Sequence, residues 1–170
     1  MKSKRIELLP LALFLLPLCM VLLGAGCEKE EYSELVEGYI VGSFVCYEVG
    51  TDGVATGDYT ERGYCILLEG SEKTDSYWPM DFYTFDLSSE LFEFPEKVIY
   101  SSVDYNGNDC GPSFFPDSLQ SKFKITFEYR DVKKDEGVRF SCGICTTMGP
   151  LFNWKDYNQV LLKNVSKIVN

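Results

Sequence analysis

Residues 122–132, KFKITFEYRDV, alternate polar and apolar side chains along most of their length. The apolar positions are Phe123, Ile125, Phe127 and Tyr129, and lysine, threonine, glutamate or arginine stands on either side of each. A period of two places successive side chains on opposite faces of a β-strand, so the stretch predicts a strand with one buried and one solvated face. We therefore expect a β-sheet to form the core of the protein.

Four further segments are rich in β-branched and aromatic residues and are bounded by turn residues, which also predicts strands. They are residues 39–49, 59–69, 77–87 and 159–169. Neither alternating face of the last segment is wholly apolar, since Asn164 and Ser166 share one face with Leu162.

The stretch between the third and fourth predicted strands, residues 88–121, is irregular. Ser88 could cap a short helix there, and Pro95 would end it. Five strands with a helix or loop after the third is the order of a five-stranded Greek-key barrel of the OB type. We predict an all-β fold with a single compact antiparallel domain over residues 38–170, OB-like in topology, with a β-sandwich as the alternative.

The first 26 residues have the layout of a secretory signal peptide. Basic residues at positions 2, 4 and 5 precede an apolar run over residues 8–24, which ends in small residues. Pro10 and Pro17 interrupt that run, which disfavours a permanent transmembrane helix.

Cys27 directly follows Gly24, Ala25 and Gly26. This placement resembles the lipobox of bacterial lipoproteins, although the usual leucine three residues before the cysteine is replaced here by Gly24, with Leu23 one place earlier. The resemblance implies that Cys27 carries lipid and becomes the first residue of the mature chain, where two or more acyl chains would form a stable anchor. The alternative is ordinary cleavage near Gly26 with a free Cys27.

Residues 28–31, EKEE, resemble the acidic stretch that directs Bacteroidetes lipoproteins to the cell surface. The resemblance implies an outer-membrane protein that faces outward; a plain solvated tether, with either orientation, is the other interpretation. Both interpretations place residues 27–37 outside the fold as an acidic tether.

The charge balance excludes several classes of function. Of the 16 Lys and Arg and 26 Asp and Glu residues, the signal peptide removes three basic and one acidic, which leaves a net charge of −12. Such a balance disfavours nucleic acid and anionic membrane surfaces as direct partners. The chain has no histidine, so triad catalysis, Cys-His catalysis and His-ligated zinc are excluded.

Five cysteines belong to the predicted domain, and disulfides are expected in an exported protein. Cys46 and Cys65 lie on consecutive predicted strands and could pair across a hairpin, while Cys110 could join Cys142 or Cys145. An odd number leaves one thiol unpaired or the pairing incomplete.

Two motifs suggest chemistry only weakly. Residues 142–145, CGIC, have redox-motif spacing, but Gly149 and Pro150 leave no room for the helix that a thioredoxin-type site needs, and zinc would need a second such pair. Residues 104–109 alternate oxygen ligands, but Asp109 and Phe115 stand where an EF-hand needs glycine and glutamate. A looser calcium site and a plain Asn-Gly turn are the two interpretations left open for residues 104–109. For the chain as a whole, we predict no metal and no cofactor.

Trp78, Trp154 and Tyr157 fall in predicted loops or at strand ends. They could contact a sugar or a protein partner, or they could close the ends of a small barrel, which we favour. We predict a non-enzymatic, lipid-anchored binding lipoprotein whose ligand is a glycan or another envelope protein. The alternatives are a secreted enzyme that uses carboxylates or the CGIC pair, and a structural envelope accessory without a ligand.

Overall fold

The computed structural model describes residues 31–95, 98–99, 111–142 and 152–169. Nine strands lie within these residues: β1 (Val36–Phe44), β2 (Tyr47–Val49), β3 (Ala55–Tyr59), β4 (Gly63–Leu68), β5 (Phe82–Thr84), β6 (Ser113–Phe114), β7 (Lys124–Asp131), β8 (Phe140–Ser141) and β9 (Asn158–Lys167). The described helical elements are one turn of α-helix, α1 (Asp117–Gln120), and the 3-10 turns Glu72–Asp75, Ser89–Leu91 and Trp154–Asp156. The predicted all-β fold is confirmed.

Five of the strands form a closed circuit of hydrogen-bonded neighbours. The order is β4-β5-β9-β7-β1, and β1 pairs again with β4; β6 adds to β1. The pairs are antiparallel, except that β9 runs parallel to β5. Strands β3, β2 and β8 form a second, smaller antiparallel sheet in that order.

Strand β7 has one buried and one solvated face, as the alternation in residues 122–132 predicts. Phe123, Ile125 and Phe127 are at most 7% exposed and belong to the main core. On the opposite face, the Lys124 ammonium lies 2.6 Å from a Glu37 carboxylate oxygen and 2.8 Å from one of Glu69. The strand therefore separates a dry interior from a charged exterior, as its period of two requires.

A bulge at Asn164 explains why the last predicted strand has no wholly apolar face. Thr126 pairs with Ser166 and Glu128 with Lys163, so β9 contains one residue more than β7 between these pairs. Asn164 takes the left-handed backbone at φ 54°, which asparagine tolerates better than most residues. The extra residue shifts the alternation, and Val165 packs against the core.

The fold begins earlier than the tether boundary predicted from the sequence. The amide of Ser33 donates to the carbonyl of Tyr129 at 2.8 Å, and Val36 already pairs with Phe127 in the sheet. The prediction that residues 32–37 lie outside the domain is therefore wrong, because it followed the acidic composition of this stretch and overlooked the residues that lead into β1. The compact unit starts at Tyr32.

Three local predictions need adjustment. Residues 39–49 divide into β1 and β2, and residues 77–87 contain only the short strand β5. Ser88 does cap a helical turn, its hydroxyl accepting from the amide of Glu90 at 3.2 Å, but the turn is a single 3-10 turn that ends at Leu91, before Pro95.

Strands β4 and β5 are buried on both faces. Tyr64, Ile66 and Phe82 point into the main core, whereas Cys65 and Tyr83 belong to a second cluster on the other face. We call this second group the outer aromatic cluster; its buried members are Val41, Phe44, Cys46, Cys65, Leu67, Met80, Tyr83 and Phe152. Burial on both faces explains why β4 reads as a continuous apolar run rather than an alternating one.

Candidate functional site

A disulfide fixes one side of the outer aromatic cluster. Cys46, in the bend between β1 and β2, is bonded to Cys142, which directly follows β8, with 4.7 Å between the Cα atoms. Beside it, β2 and β8 pair through Tyr47 and Ser141. The bridge spans 96 residues of chain and holds together two loops that come from distant parts of the sequence.

Two of the predicted disulfide pairings are wrong. Cys65 is a free, fully buried thiol, because its partner across the β1–β4 ladder is Gly42 and not Cys46. Cys142 is bonded to Cys46, so it does not pair with Cys110. Cys110 and Cys145 lie outside the described residues, as does the predicted lipidation site Cys27.

A cleft of about 640 Å³ opens where the small sheet meets the outer aromatic cluster. Aromatic rings form much of its lining, cations and small residues complete it, and we call it the aromatic cleft. The lining residues on which the argument depends are Val49, Tyr83, Val138, Arg139, Phe140, Trp154, Lys155 and Tyr157.

The chain builds the cleft from a capped turn and a short ladder. The side-chain oxygen of Asn153 accepts from the amide of Lys155 at 3.3 Å, and its amide group donates to Asp156 at 2.8 Å, which closes the 3-10 turn that carries Trp154. Elsewhere in the lining, the amide of Val49 donates to the carbonyl of Arg139 at 3.0 Å. Local hydrogen bonds thus fix both parts before any ligand arrives.

Trp154 and Tyr157 pack against other rings as well as lining the cleft. The Trp154 ring lies 4.4 Å from Phe44 and 4.9 Å from Phe140, between ring centroids. Tyr157 stacks on Phe152 at 5.2 Å with the two rings nearly parallel. These two predicted contact residues therefore pack against the outer aromatic cluster, and they leave part of their surface to the cleft.

The third predicted contact residue, Trp78, lies elsewhere. Its ring packs against Phe152 at 5.2 Å and Phe114 at 5.8 Å, and it does not line the cleft. The cleft residues that the sequence analysis missed are Tyr83, Arg139, Phe140 and Lys155. No pattern in the sequence joins them, because they come from three separate segments that only the fold brings together.

The cleft has a distinctive electrostatic character. Burial raises the pKa of Tyr83 to about 12, and burial followed by the nearby Asp156 charge raises the pKa of Tyr157. The indole N–H of Trp154 is buried and finds no hydrogen-bond partner among the residues that the structure describes. Among the described residues, the exposed Arg139 and Lys155 side chains have no acidic partner.

Carboxylates and metal ligands do not converge at the cleft. None of the described residues that line it is acidic, and no group of three or more Cys, Asp or Glu side chains in the described part of the chain could hold a metal ion. Asp81 accepts hydrogen bonds from Leu68 and Ser71, and Asp86 accepts one from Leu162, so both carboxylates support the sheet. The possible calcium loop at residues 104–109 lies outside the described residues.

The chain matches no family model, no curated protein and no solved structure. Within the part of the chain that the structure describes, no helix has both the length and the apolar character that crossing a bilayer requires.

Proposed function

We propose that this chain is a lipid-anchored binding protein of the bacterial outer surface and that it holds a glycan in the aromatic cleft. The lipobox-like Cys27 and the acidic residues after it support the location. The observation that carries the binding role is the cleft itself: aromatic rings form its wall, and two cations that have no acidic partner in the described part of the chain stand at it. Apolar walls with a few polar groups are typical of ligand sites.

The proposed barrel type agrees with this role. The closed circuit contains five strands, and helical turns lie between its third and fourth strands along the chain. This arrangement is typical of OB-type barrels. Such barrels bind oligosaccharides and oligonucleotides through one sheet face and two loops. The aromatic cleft lies beside β5 between two loops, and the acidic balance of the chain favours a sugar over a nucleic acid.

The cleft supports binding better than catalysis. Its described lining offers no carboxylate for acid–base chemistry, and Cys142 is held in a disulfide with Cys46. The Tyr83 phenol is protonated at neutral pH, and burial moves its pKa further from neutrality, to about 12; it can donate or accept a hydrogen bond but is a poor base. We therefore expect this chain to hold its ligand unchanged.

Filling the cleft tests the binding role. Val138 is a lining residue with 37% of its surface exposed, so Val138→Trp adds bulk to the cleft without entering the core. In affinity gel electrophoresis against neutral and acidic polysaccharides, we expect at least one polysaccharide to retard the unaltered chain and the variant to lose that retardation. Val169→Trp, at a position that is 83% exposed and outside the cleft, is the matched control.

Two results would contradict the binding role. One is that no polysaccharide in the panel retards the unaltered chain, and the other is equal retardation of the two tryptophan variants. The location is tested separately, by mass spectrometry of the mature N-terminus for acyl groups on Cys27 and by labelling of intact cells with a reagent that cannot enter them. Labelling only after lysis would refute the outward orientation.

A protein partner is the second candidate, favoured by strand β3. All five residues of β3 are exposed, and it is an edge strand of the small sheet among the described strands. An exposed edge can accept a strand from another protein. A photo-crosslinker at Val54, next to β3, would give a discrete protein adduct on cells if this candidate is right, and one at Tyr77 serves as the exposed control.

A further inference from the structure

A second hollow of about 400 Å³ is lined by Phe85, whose ring contacts that of Phe140 in the aromatic cleft. It forms between the residues that lead into β4 and the 3-10 turn Ser89–Leu91, and we call it the Arg62 hollow. The lining residues that matter here are Glu61, Arg62, Tyr64, Phe85 and Glu90.

Arg62 has unused hydrogen-bonding capacity in this hollow. Its side chain is half-buried, and its one hydrogen bond among the described residues goes to the hydroxyl of Ser43 at 3.3 Å. A guanidinium carries five N–H donors in a planar fork that matches a carboxylate. The Tyr64 hydroxyl, buried beneath the same hollow, has no hydrogen-bond partner within the described ranges. Two polar groups at one place thus have unmet bonding capacity.

The two hollows share an aromatic wall. Phe85 lines the Arg62 hollow and Phe140 lines the aromatic cleft, and the centroids of their rings are 5.5 Å apart. A ligand that leaves the cleft across Phe140 reaches Phe85 within one ring contact. We therefore expect one extended chain molecule to occupy both hollows together.

The cations along this path indicate the chemistry of such a ligand. Arg139 and Lys155 stand at the cleft and Arg62 at the hollow, and none of the three has an acidic partner among the described residues. In a mature chain with a net charge of −12, three cations that have no acidic partner among the described residues favour an anionic ligand. The exposed carboxylates of Glu61 and Glu90 oppose it at the edge of the hollow.

We propose that the ligand is a glycan chain with repeated carboxylates, such as a polymer of uronic acid, which binds Arg139 and Lys155 in the aromatic cleft and Arg62 in the second hollow. This inference rests on the proposed function and adds the class of glycan and a second subsite. The aromatic wall contacts the sugar rings, and the arginine forks bind the carboxylates.

Oligogalacturonate is the probe, measured by calorimetry on the detergent-solubilised full chain. We expect a short oligogalacturonate to bind, and the fully methyl-esterified oligomer of the same length to bind at least about tenfold more weakly. Rising salt should weaken binding of the acidic oligomer but not of the esterified one. Equal binding of the esterified and free-acid chains would overturn the anionic assignment.

Variants at the second hollow test the subsite. Arg62→Gln should weaken binding of the oligomer about tenfold and leave binding of galacturonic acid itself unchanged. Arg62→Lys should lose less of the affinity for the oligomer, because lysine keeps the charge but not the planar fork of donors. Glu90→Gln should strengthen oligomer binding severalfold. Lys134→Gln, an exposed cation outside both hollows, is the matched control.

The outcomes separate the two proposals. Binding of the oligomer that is unchanged in Arg62→Gln, or weakened in Glu90→Gln, overturns the second subsite. If only neutral glycans bind and Val138→Trp abolishes that binding, the proposed function stands and the carboxylated ligand is refuted. If no glycan binds at all, both are refuted. Thermal unfolding of each variant establishes that a loss of binding is not a loss of fold.

Discussion

The ring of Phe44 lies directly against Gly63, its partner across the β1–β4 ladder. A Cβ at position 63 would overlap that ring, so only glycine lets the phenyl group settle on the strand. From there the ring contacts Trp154 at 4.4 Å and Tyr83 at 5.7 Å, between centroids. One missing side chain on β4 thus allows the aromatic contacts that support the cleft.

Gly63→Ala should destabilise the protein by about 1–3 kcal/mol, because the added methyl group overpacks the outer aromatic cluster. Urea unfolding followed by tryptophan fluorescence measures the change. Phe44→Leu in the same chain should relieve part of the overlap, so the double variant should lose less stability than the sum of the single variants. Strict additivity would show that the ring contact is not the cause.

Removal of the Cys46–Cys142 bridge should lower the free energy of unfolding by about 2–5 kcal/mol, because the bridge closes a long loop in the unfolded chain. The double variant Cys46→Ser/Cys142→Ser, compared by urea unfolding with the unaltered chain, measures this cost, and ligand retardation should fall with it because β8 lines the cleft. Cys65→Ala is the control for a lost buried sulfur without a lost bridge. An unchanged midpoint of the double variant would contradict the assigned bridge.

Alkaline pH should destabilise the protein through Tyr83. Burial raises the pKa of this phenol from 10.0 to about 12, so the unfolded chain releases the proton at a lower pH than the folded one. The unfolded state then binds fewer protons, and stability is lost as pH rises from about 10 towards 12. Tyr83→Phe should flatten the slope of unfolding free energy against pH in this window, whereas Tyr77→Phe, at an exposed phenol, should leave it unchanged.

Asn164 should tolerate glycine better than a β-branched residue. The position has φ 54° at the bulge in β9, where a branched side chain is strained and glycine is not. We expect Asn164→Val to lower the free energy of unfolding by about 1–3 kcal/mol. Asn164→Gly should change it little, because the unstrained glycine backbone offsets part of the loss of the hydrogen bond to Glu128 at 2.7 Å. Equal losses in thermal unfolding would show that this hydrogen bond, and not the backbone, sets the requirement for asparagine.

Local pattern was enough to predict much of the sheet. The alternation around Ile125 predicted β7 and its buried face, and the hydroxyl of Ser88 capped a turn as expected. These features depend on neighbours within a few residues, so a short stretch of sequence contains the whole cause. The Asn164 bulge marks the limit of this reasoning, because a single inserted residue reverses the faces of everything after it.

Composition and local pattern were enough to indicate the all-β class, the acidic balance, the absence of histidine chemistry and the signal-peptide-like N-terminus on which the proposed anchor rests. They could not show that Cys46 bonds to Cys142 while Cys65 stays free, or that Tyr83, Arg139 and Trp154 line one cleft. Disulfide pairing and cleft formation depend on distances between segments far apart in the chain, and those distances follow from the packing of the whole domain.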